Sequence, residues 1–167
     1  MPPTKNASNA SSYEESYLGQ VRKLVGKRKI IVTAARAAIR DPEGRILFIR
    51  RSDNGLWAMP AGSQELDESI LDCLKREVWE ETGLQVISAI PMAIYSRLPI
   101  VTVYGDPYHL FLVQFLVDEW CGELVTETDE TVDARFFALD EIPAEISPAY
   151  HEALQDLREY AGALILK

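Results

Sequence analysis

Between Gly62 and Leu84 the chain reads GSQELDESILDCLKREVWEETGL, and Glu77, Glu80 and Glu81 crowd into its last third. At about 100° per residue on a helix, Glu81 falls about 40° to one side of Glu77 and Glu80 about 60° to the other. Ile70, Leu71, Leu74 and Val78 occupy the adjoining arc, so the three carboxylates line one edge of the stripe that must face a core. On an open helix face such repulsion costs only roughly 0.2–0.5 kcal/mol per pair. At an effective dielectric near 20 and a separation of about 5.5 Å it approaches roughly 3 kcal/mol. Something cationic should compensate. Arg76 lies four residues before Glu80 and can pair with it, but one guanidinium does not neutralise three carboxylates at a core edge. Hard oxygen ligands of this kind suit Mg²⁺ or Mn²⁺, which keep several waters and take substrate phosphates as further ligands. A surface helix with merely solvated acids is the alternative that would prevail for an arbitrary acidic helix.

The elements that must position these acids follow from periodicity and punctuation. Tyr17, Val21, Leu24 and Val25 recur at helical spacing before Gly26, which predicts an N-terminal amphipathic helix. Ile30–Ile39 and Arg45–Arg50 read as strands separated by Asp41-Pro42-Glu43-Gly44, which predicts an antiparallel hairpin pair. After the turn cluster Ser52-Asp53-Asn54-Gly55, residues 56–61 lead into the acidic helix, expected from about Ser69 to Thr82. Val86–Arg97, Ile100–Tyr104, Tyr108–Val117 and Ala134–Leu139 are expected strands. Ser147-Pro148 is a good N-cap and first-turn pair for a closing helix from Ala149 to about Ala161. This mixed order predicts an α/β (α+β) fold, with a mixed β-sheet covered by helices on both faces.

The chain has 167 residues, 47% of them hydrophobic, which predicts one domain over residues 13–167. Residues 1–12 are almost all small or polar and are expected to be a disordered tail. Two Asn-x-Ser glycosylation patterns there are read as coincidence. The net charge of −9 argues against non-specific nucleic-acid binding, so nucleic acid is not an expected partner. The sequence has no apolar run of the roughly 18 residues a membrane span requires and no signal peptide, which predicts a cytoplasmic protein without a membrane partner. Cys73 and Cys121 are too few for a disulfide framework and are read as packing thiols.

Gly62, five residues, Glu68, seven residues, Arg76-Glu77, aliphatic Val78, one residue, Glu80-Glu81, one residue, Gly83 and aliphatic Leu84 resemble the Nudix box at every defining position. The approach from Asn54 to Gly62, and the helix and paired strands from Tyr17 to Arg51, look similar to the same family. The resemblance covers most of the chain beyond the tail. Ala61 stands where a second glycine is common, and Asp67 where glycine commonly precedes the glutamate. The resemblance to Nudix (MutT-like) hydrolases implies an α/β/α sandwich and a Mg²⁺- or Mn²⁺-dependent pyrophosphohydrolase. Its substrate would be a small nucleoside diphosphate linked to another moiety: a nucleoside triphosphate, a nucleotide sugar, ADP-ribose or similar. The alternative is a non-catalytic nucleotide-binding or regulatory module. The resemblance also leaves a homodimer open.

By the same resemblance Glu80 and Glu81 would be metal ligands, with the Gly62 carbonyl beside them. Glu77 would be a ligand or the base for the attacking water. Arg76 would orient the acids. Glu68, which the helical count puts far from the others, would secure the loop and helix start, or act as a simple charge at the helix N-terminus. Glu130 would be a second-choice base or ligand, the alternative being a solvated loop charge. Arg36 interrupts a small, apolar strand, and its fork suits phosphate or carboxylate; substrate contact and a structural ion pair are both open. Arg50 and Arg51 could also meet phosphate, a solvated strand end being the alternative that would more often hold. Trp57, Tyr95 and Tyr104 could stack on a base or pack in the core. His109 and His151 are read as structural.

Overall fold

The computed structural model describes residues 13–167, so the expected tail at 1–12 lies outside the described residues. The chain runs through α1 (Tyr17–Val25), β1 (Ile30–Ile39), β2 (Ile46–Arg51), β3 (Trp57–Ala58), β4 (Ala61–Ser63) and α2 (Ile70–Thr82). It continues through β5 (Gln85–Val101), β6 (Pro107–Cys121), β7 (Thr131–Phe137), a 3₁₀ turn at Pro148–Tyr150, α3 (His151–Glu159) and β8 (Ile165–Leu166). The fold is mixed α+β, as expected, but its strands divide between two sheets. One has five strands in the order β4-β1-β6-β5-β8, and the other three in the order β3-β2-β7.

The expected hairpin between the first two strands does not form. β1 pairs in parallel with β6 and antiparallel with β4, β2 pairs with β3 and β7, and the two meet only at a bridge between Arg40 and Ile46. The turn residues behave as their chemistry dictates, with Asp41 accepting backbone N–H bonds from Glu43 and Arg45. Beyond the turn, burial decides. β1 is enclosed on both faces from Ala34 to Ile39, as is β2 from Ile46 to Ile49. Each therefore behaves as a central strand of its own sheet rather than one arm of a half-exposed ribbon.

One core lies between the sheets and α2, built from Ala35, Ala37, Leu47, Ile49, Leu74, Val78 and Val113. The other gathers Ala34, Ala38, Phe48, Met59, Met92 and Leu112 with Ala153 and Leu154 of α3. The alanines of β1 keep its surface low on both faces, which lets helix α2 approach closely. α2 starts at a capping box in which Ser69 and Asp72 satisfy each other's backbone N–H groups. It ends at Gly83 with φ 72°, where a Cβ would stand 2.7 Å from Val125 Cγ2.

α1 forms where expected, capped by Ser16 and Gly26, but the apolar periodicity overstated its burial, since Leu24 is 87% exposed. Polar contacts hold the helix instead. Arg22 lies 4.7 Å over the Tyr108 ring, Lys27 pairs with Asp106 at 2.9 Å, and the Tyr17 N–H donates to Glu65 at 2.8 Å. The two strands expected across 86–104 are one, β5, whose bulges absorb the break in pattern at Leu98 and Pro99. The closing helix begins as the 3₁₀ turn, with Ser147 as its cap. Among the described residues no helix is long and apolar enough to cross a membrane.

The segment from Gln64 to Ser69 links β4 to α2, and within it Asp67 adopts φ 60°. That conformation crowds a Cβ against the following carbonyl, at a cost of roughly 1–2 kcal/mol for ordinary residues and less for Asp. The strained position is the one where the family pattern commonly has glycine. An Asp67→Gly substitution is expected to stabilise the fold by up to about 1 kcal/mol in urea unfolding, because relief of strain exceeds the added chain entropy. A loss of stability would show that the Asp67 side chain holds the turn.

Candidate active site

Arg76, on the second turn of α2, organises the acids. Its Nε donates to Glu68 Oε1 at 2.8 Å, Nη1 to Glu77 Oε1 at 2.6 Å and to Glu80 Oε2 at 3.1 Å, and Nη2 to the Ser63 carbonyl at 3.0 Å. Glu68 therefore does not stand apart from the acids, as the helical count suggested. The turn at Asp67 folds it back over α2, where it accepts the Glu65 N–H at 2.9 Å and fastens the loop to the helix through Arg76. A helical projection could not reveal this, since Glu68 precedes the helix.

Glu81 is buried at 2% exposure and accepts the Ala61 N–H at 2.9 Å. Glu77 shows 13% of its side chain and Glu80 49%, so two of the three acids are enclosed and the third faces solvent. Burial pushes the Glu77 carboxyl up to about 7, against the pull of Arg76 and helped by Glu80 and Glu130. Burial likewise raises Glu81 well above the carboxylate range, with Glu77 and Glu130 adding to the rise. Both shifts run in the direction that burial and neighbouring carboxylates impose on an acid.

β4 brings its backbone against this cluster. Gly62 lies opposite Ala35 of β1, and a Cβ on it would stand 1.9 Å from Glu77 Cδ. Only glycine leaves room for the carboxylate here. From the other side comes the loop after β6. The Val125 N–H bonds the Thr82 carbonyl at 2.8 Å, Thr131 Oγ1 donates to the Glu81 carbonyl at 3.1 Å, and the Ser52 N–H bonds the Glu130 carbonyl at 2.9 Å. These bonds set Glu130 within electrostatic reach of Glu77, Glu80 and Glu81. Its carboxyl is raised by burial and then by Glu80 and Asp53, with Arg51 opposing, and its solvent exposure tempers the rise.

The donors are all oxygen, two are enclosed, and the missing Gly62 side chain leaves the carbonyl edge open to them, a set that fits a hard divalent cation. Among the described residues no three acid, histidine or cysteine side chains stand in a ready-made metal arrangement. The reason is visible in the contacts: Arg76 draws Glu77 and Glu80 toward itself. Both would have to turn from the guanidinium to share an ion with Glu81.

The NUDIX domain model matches residues 31–157, about three quarters of the sequence. The chain belongs to the Nudix family. It is 43% identical over 70 residues to a MutT-like protein of Streptomyces ambofaciens, covering 42% of this chain and 45% of that one. It is 33% identical over 95 residues to the phosphatase NudJ of Escherichia coli, covering 56% and 60% respectively. The matched part thus spans about half the length of these relatives. The crystal structure of a MutT NUDIX hydrolase from Burkholderia pseudomallei superimposes with a TM-score of 0.65 at 26% identity, over 76% of this chain and 98% of that one.

Other residues singled out from the sequence fall at varied distances from the Nudix box. Trp57 is buried at 7%, edge-on to Phe137 with centroids 5.0 Å apart, so it packs in the core and offers no face to a base. Its place on β3, bridged to Ile146, encloses it. Arg51 reaches the electrostatic field of Glu81 but pairs with Asp53 at 2.7 Å. Arg50 donates to the Gly55 carbonyl at 3.0 Å and lies exposed. Arg36 is buried at 4%, donates to Gln114 Oε1 at 2.8 Å and makes no ion pair among the described residues. Tyr95 is buried, while Tyr104 is 74% exposed at the β5–β6 turn. His109 bonds the Ser96 carbonyl at 2.8 Å, and His151 opens α3 at the surface.

Cys73 was no candidate, yet it sits directly beneath the box, with Sγ 3.6 Å from the Gly62 carbonyl. Burial, then Glu77 and Glu68, push its thiol up to about 12, so it stays protonated and inert.

Arg76→Met should release Glu68, Glu77 and Glu80 together. The expected cost is about 1–3 kcal/mol in chemical unfolding, kept modest by the partial exposure of Arg76 and Glu80. An unchanged midpoint would mean that the loop from Gln64 to Ser69 is held without the guanidinium.

Proposed function

We propose that this Nudix protein is a metal-dependent pyrophosphohydrolase that cleaves a diphosphate bond in a nucleoside diphosphate linked to another moiety. The observation that carries this reading is the close approach of the Gly62 backbone to Glu77, beside enclosed Glu81. A scaffold helix has no use for a buried, underneutralised acid pair, whereas a divalent cation would offset it and could in turn take up a diphosphate. The MutT-like and phosphatase names of the relatives agree with chemistry at phosphorus.

Glu80, Glu81 and the Gly62 carbonyl would hold Mg²⁺ or Mn²⁺, with Glu77 as a further ligand or the base. The bound ion supplies charge neutralisation on the diphosphate and a lowered pKa for the attacking water. The protein's own groups do the rest. Glu77, or Glu130 from its loop, takes the water proton on a carboxylate oxygen as the new P–O bond forms and the bridging P–O bond breaks in line. Arg76 fixes which way Glu77 and Glu80 point, and Glu68 fixes Arg76. Ala61 keeps Glu81 from rotating away. All the box acids are present, which binding alone would not require.

The direct test is turnover in Mg²⁺ or Mn²⁺ across nucleoside triphosphates, nucleotide sugars, ADP-ribose, dinucleoside polyphosphates and CDP-alcohols. The reading expects one class to be hydrolysed at the diphosphate. It also expects Glu81→Gln to lose more than about 100-fold, beyond the cost of an outer-sphere partner. Gly62→Ala should lose activity similarly while remaining folded, because the clash falls on the flexible end of Glu77. No turnover of any class by folded protein, or full activity in Glu81→Gln, would contradict it.

A further inference from the structure

Glu65 joins the N-terminal helix to the loop that carries Glu68. The Tyr17 N–H, in the first turn of α1, donates to Glu65 Oε2 at 2.8 Å, between residues 48 apart in sequence. Ser16 accepts the Gly19 N–H, so Glu65 takes a second of the N–H groups that a helix start leaves without an internal partner, and its charge suits that end of the helix. Arg22 and Lys27 tie the far end of α1 to Tyr108 and Asp106 instead. Between the helix and the loop lies a cavity of about 380 Å³, whose walls include Leu18 and Val21 of α1, Val32 of β1 and Leu66 of the loop. Tyr17 and Glu65 both line it, so their hydrogen bond works as a strut between the two elements.

From Glu65 the contacts run inward. Its own N–H donates to Glu68 Oε2 at 2.9 Å, and Gln64 Nε2 donates to the Glu68 carbonyl. Glu68 in turn holds Arg76 with both carboxylate oxygens, accepting Nε at 2.8 Å and Nη2 at 3.1 Å. Nη1 goes to Glu77 and Glu80, the acids that a cation would take. The guanidinium is a rigid, planar fork, so its two sides compete. A firmly held Glu68 keeps Nε and Nη2 on the loop and limits the grip on Glu77 and Glu80. A loosened Glu68 frees the whole fork to hold those acids against an incoming ion.

We propose that Glu65 is a positioning residue that sets the affinity of the box for its cation, by tying the loop to α1 and so keeping Glu68 and Arg76 in the arrangement that lets Glu77 and Glu80 turn away. α1 then serves the site without touching the acids. The proposal rests on the cation in the hydrolase reading and adds the element outside the box that tunes its binding.

The test titrates Mn²⁺ by calorimetry, without substrate, into the full chain and into Glu65→Ala and Glu65→Gln, with melting temperatures recorded alongside. Glu65→Ala should weaken Mn²⁺ binding about 3- to 10-fold, the worth of one hydrogen bond. Glu65→Gln, whose amide oxygen still accepts the Tyr17 N–H, should bind Mn²⁺ like the parent, which separates the hydrogen bond from the charge. In a Glu68→Gln background Glu65→Ala should weaken binding no further, because residues acting through one contact are not additive. A lower melting temperature with Mn²⁺ affinity unmoved, equal weakening by Glu65→Gln, or losses that add to those of Glu68→Gln would each overturn the proposal. A parent that takes up no Mn²⁺ overturns the cation reading and this proposal with it; uptake that Glu65→Ala leaves unchanged overturns this proposal alone.

Discussion

Carboxylates repel, and this fold holds Glu77 and Glu81 where little water screens them. The arrangement of the site follows from how that repulsion is offset. Arg76 answers Glu77 and Glu80, the Ala61 N–H answers Glu81, and burial raises the pKa of both enclosed acids. None of these devices is as effective as a divalent ion, and each is local. The acids are thus held near one another at a cost in free energy that ligand binding can recover, a common way for a site to be strained in advance of its function.

Positioning comes from backbone, not from side-chain packing alone. β4 is only three residues long, yet its pairing with β1 brings Gly62 and Ala61 against α2. The small residues of β1 permit that approach, and the bonds from Val125 and Thr131 to the end of α2 bring the Glu130 loop to the same place. The box is therefore made of three chain segments distant in sequence, joined through main-chain groups together with the Thr131 hydroxyl and the Glu81 carboxyl.

Much of this was legible in the residues. The box spacing, the extent of the acidic helix from about Ser69 to Thr82 and the isolated arginine in β1 all carry local chemistry that survives folding. What was not legible depends on long-range pairing. The Asp41–Gly44 turn looks like a hairpin turn, but the partner strands are chosen by two-sided burial of β1 and β2, which a turn does not encode. Glu68 looked remote because a helical projection ends where the helix does, and the reversal at Asp67 lies outside it. For Trp57, stacking and core packing were both open in the sequence; the bridge to Ile146 that encloses it comes from almost ninety residues later. Leu24 matched a periodicity that α1 does not bury, since polar contacts hold that helix.

The central claim is that the enclosed acids need a cation. Thermal unfolding at neutral pH, with and without Mn²⁺, of the parent and of Glu81→Gln measures this directly. Without metal, Glu81→Gln should melt close to the parent, because burial already favours the neutral acid and the oxygen that accepts the Ala61 N–H remains. At about a hundred times the dissociation constant, Mn²⁺ should stabilise the parent by about 2.7 kcal/mol, or about 5–10 °C for a chain of this size, and leave the variant nearly unmoved. A parent indifferent to Mn²⁺, or a variant less stable than the parent in its absence and equally shifted in its presence, would contradict the account.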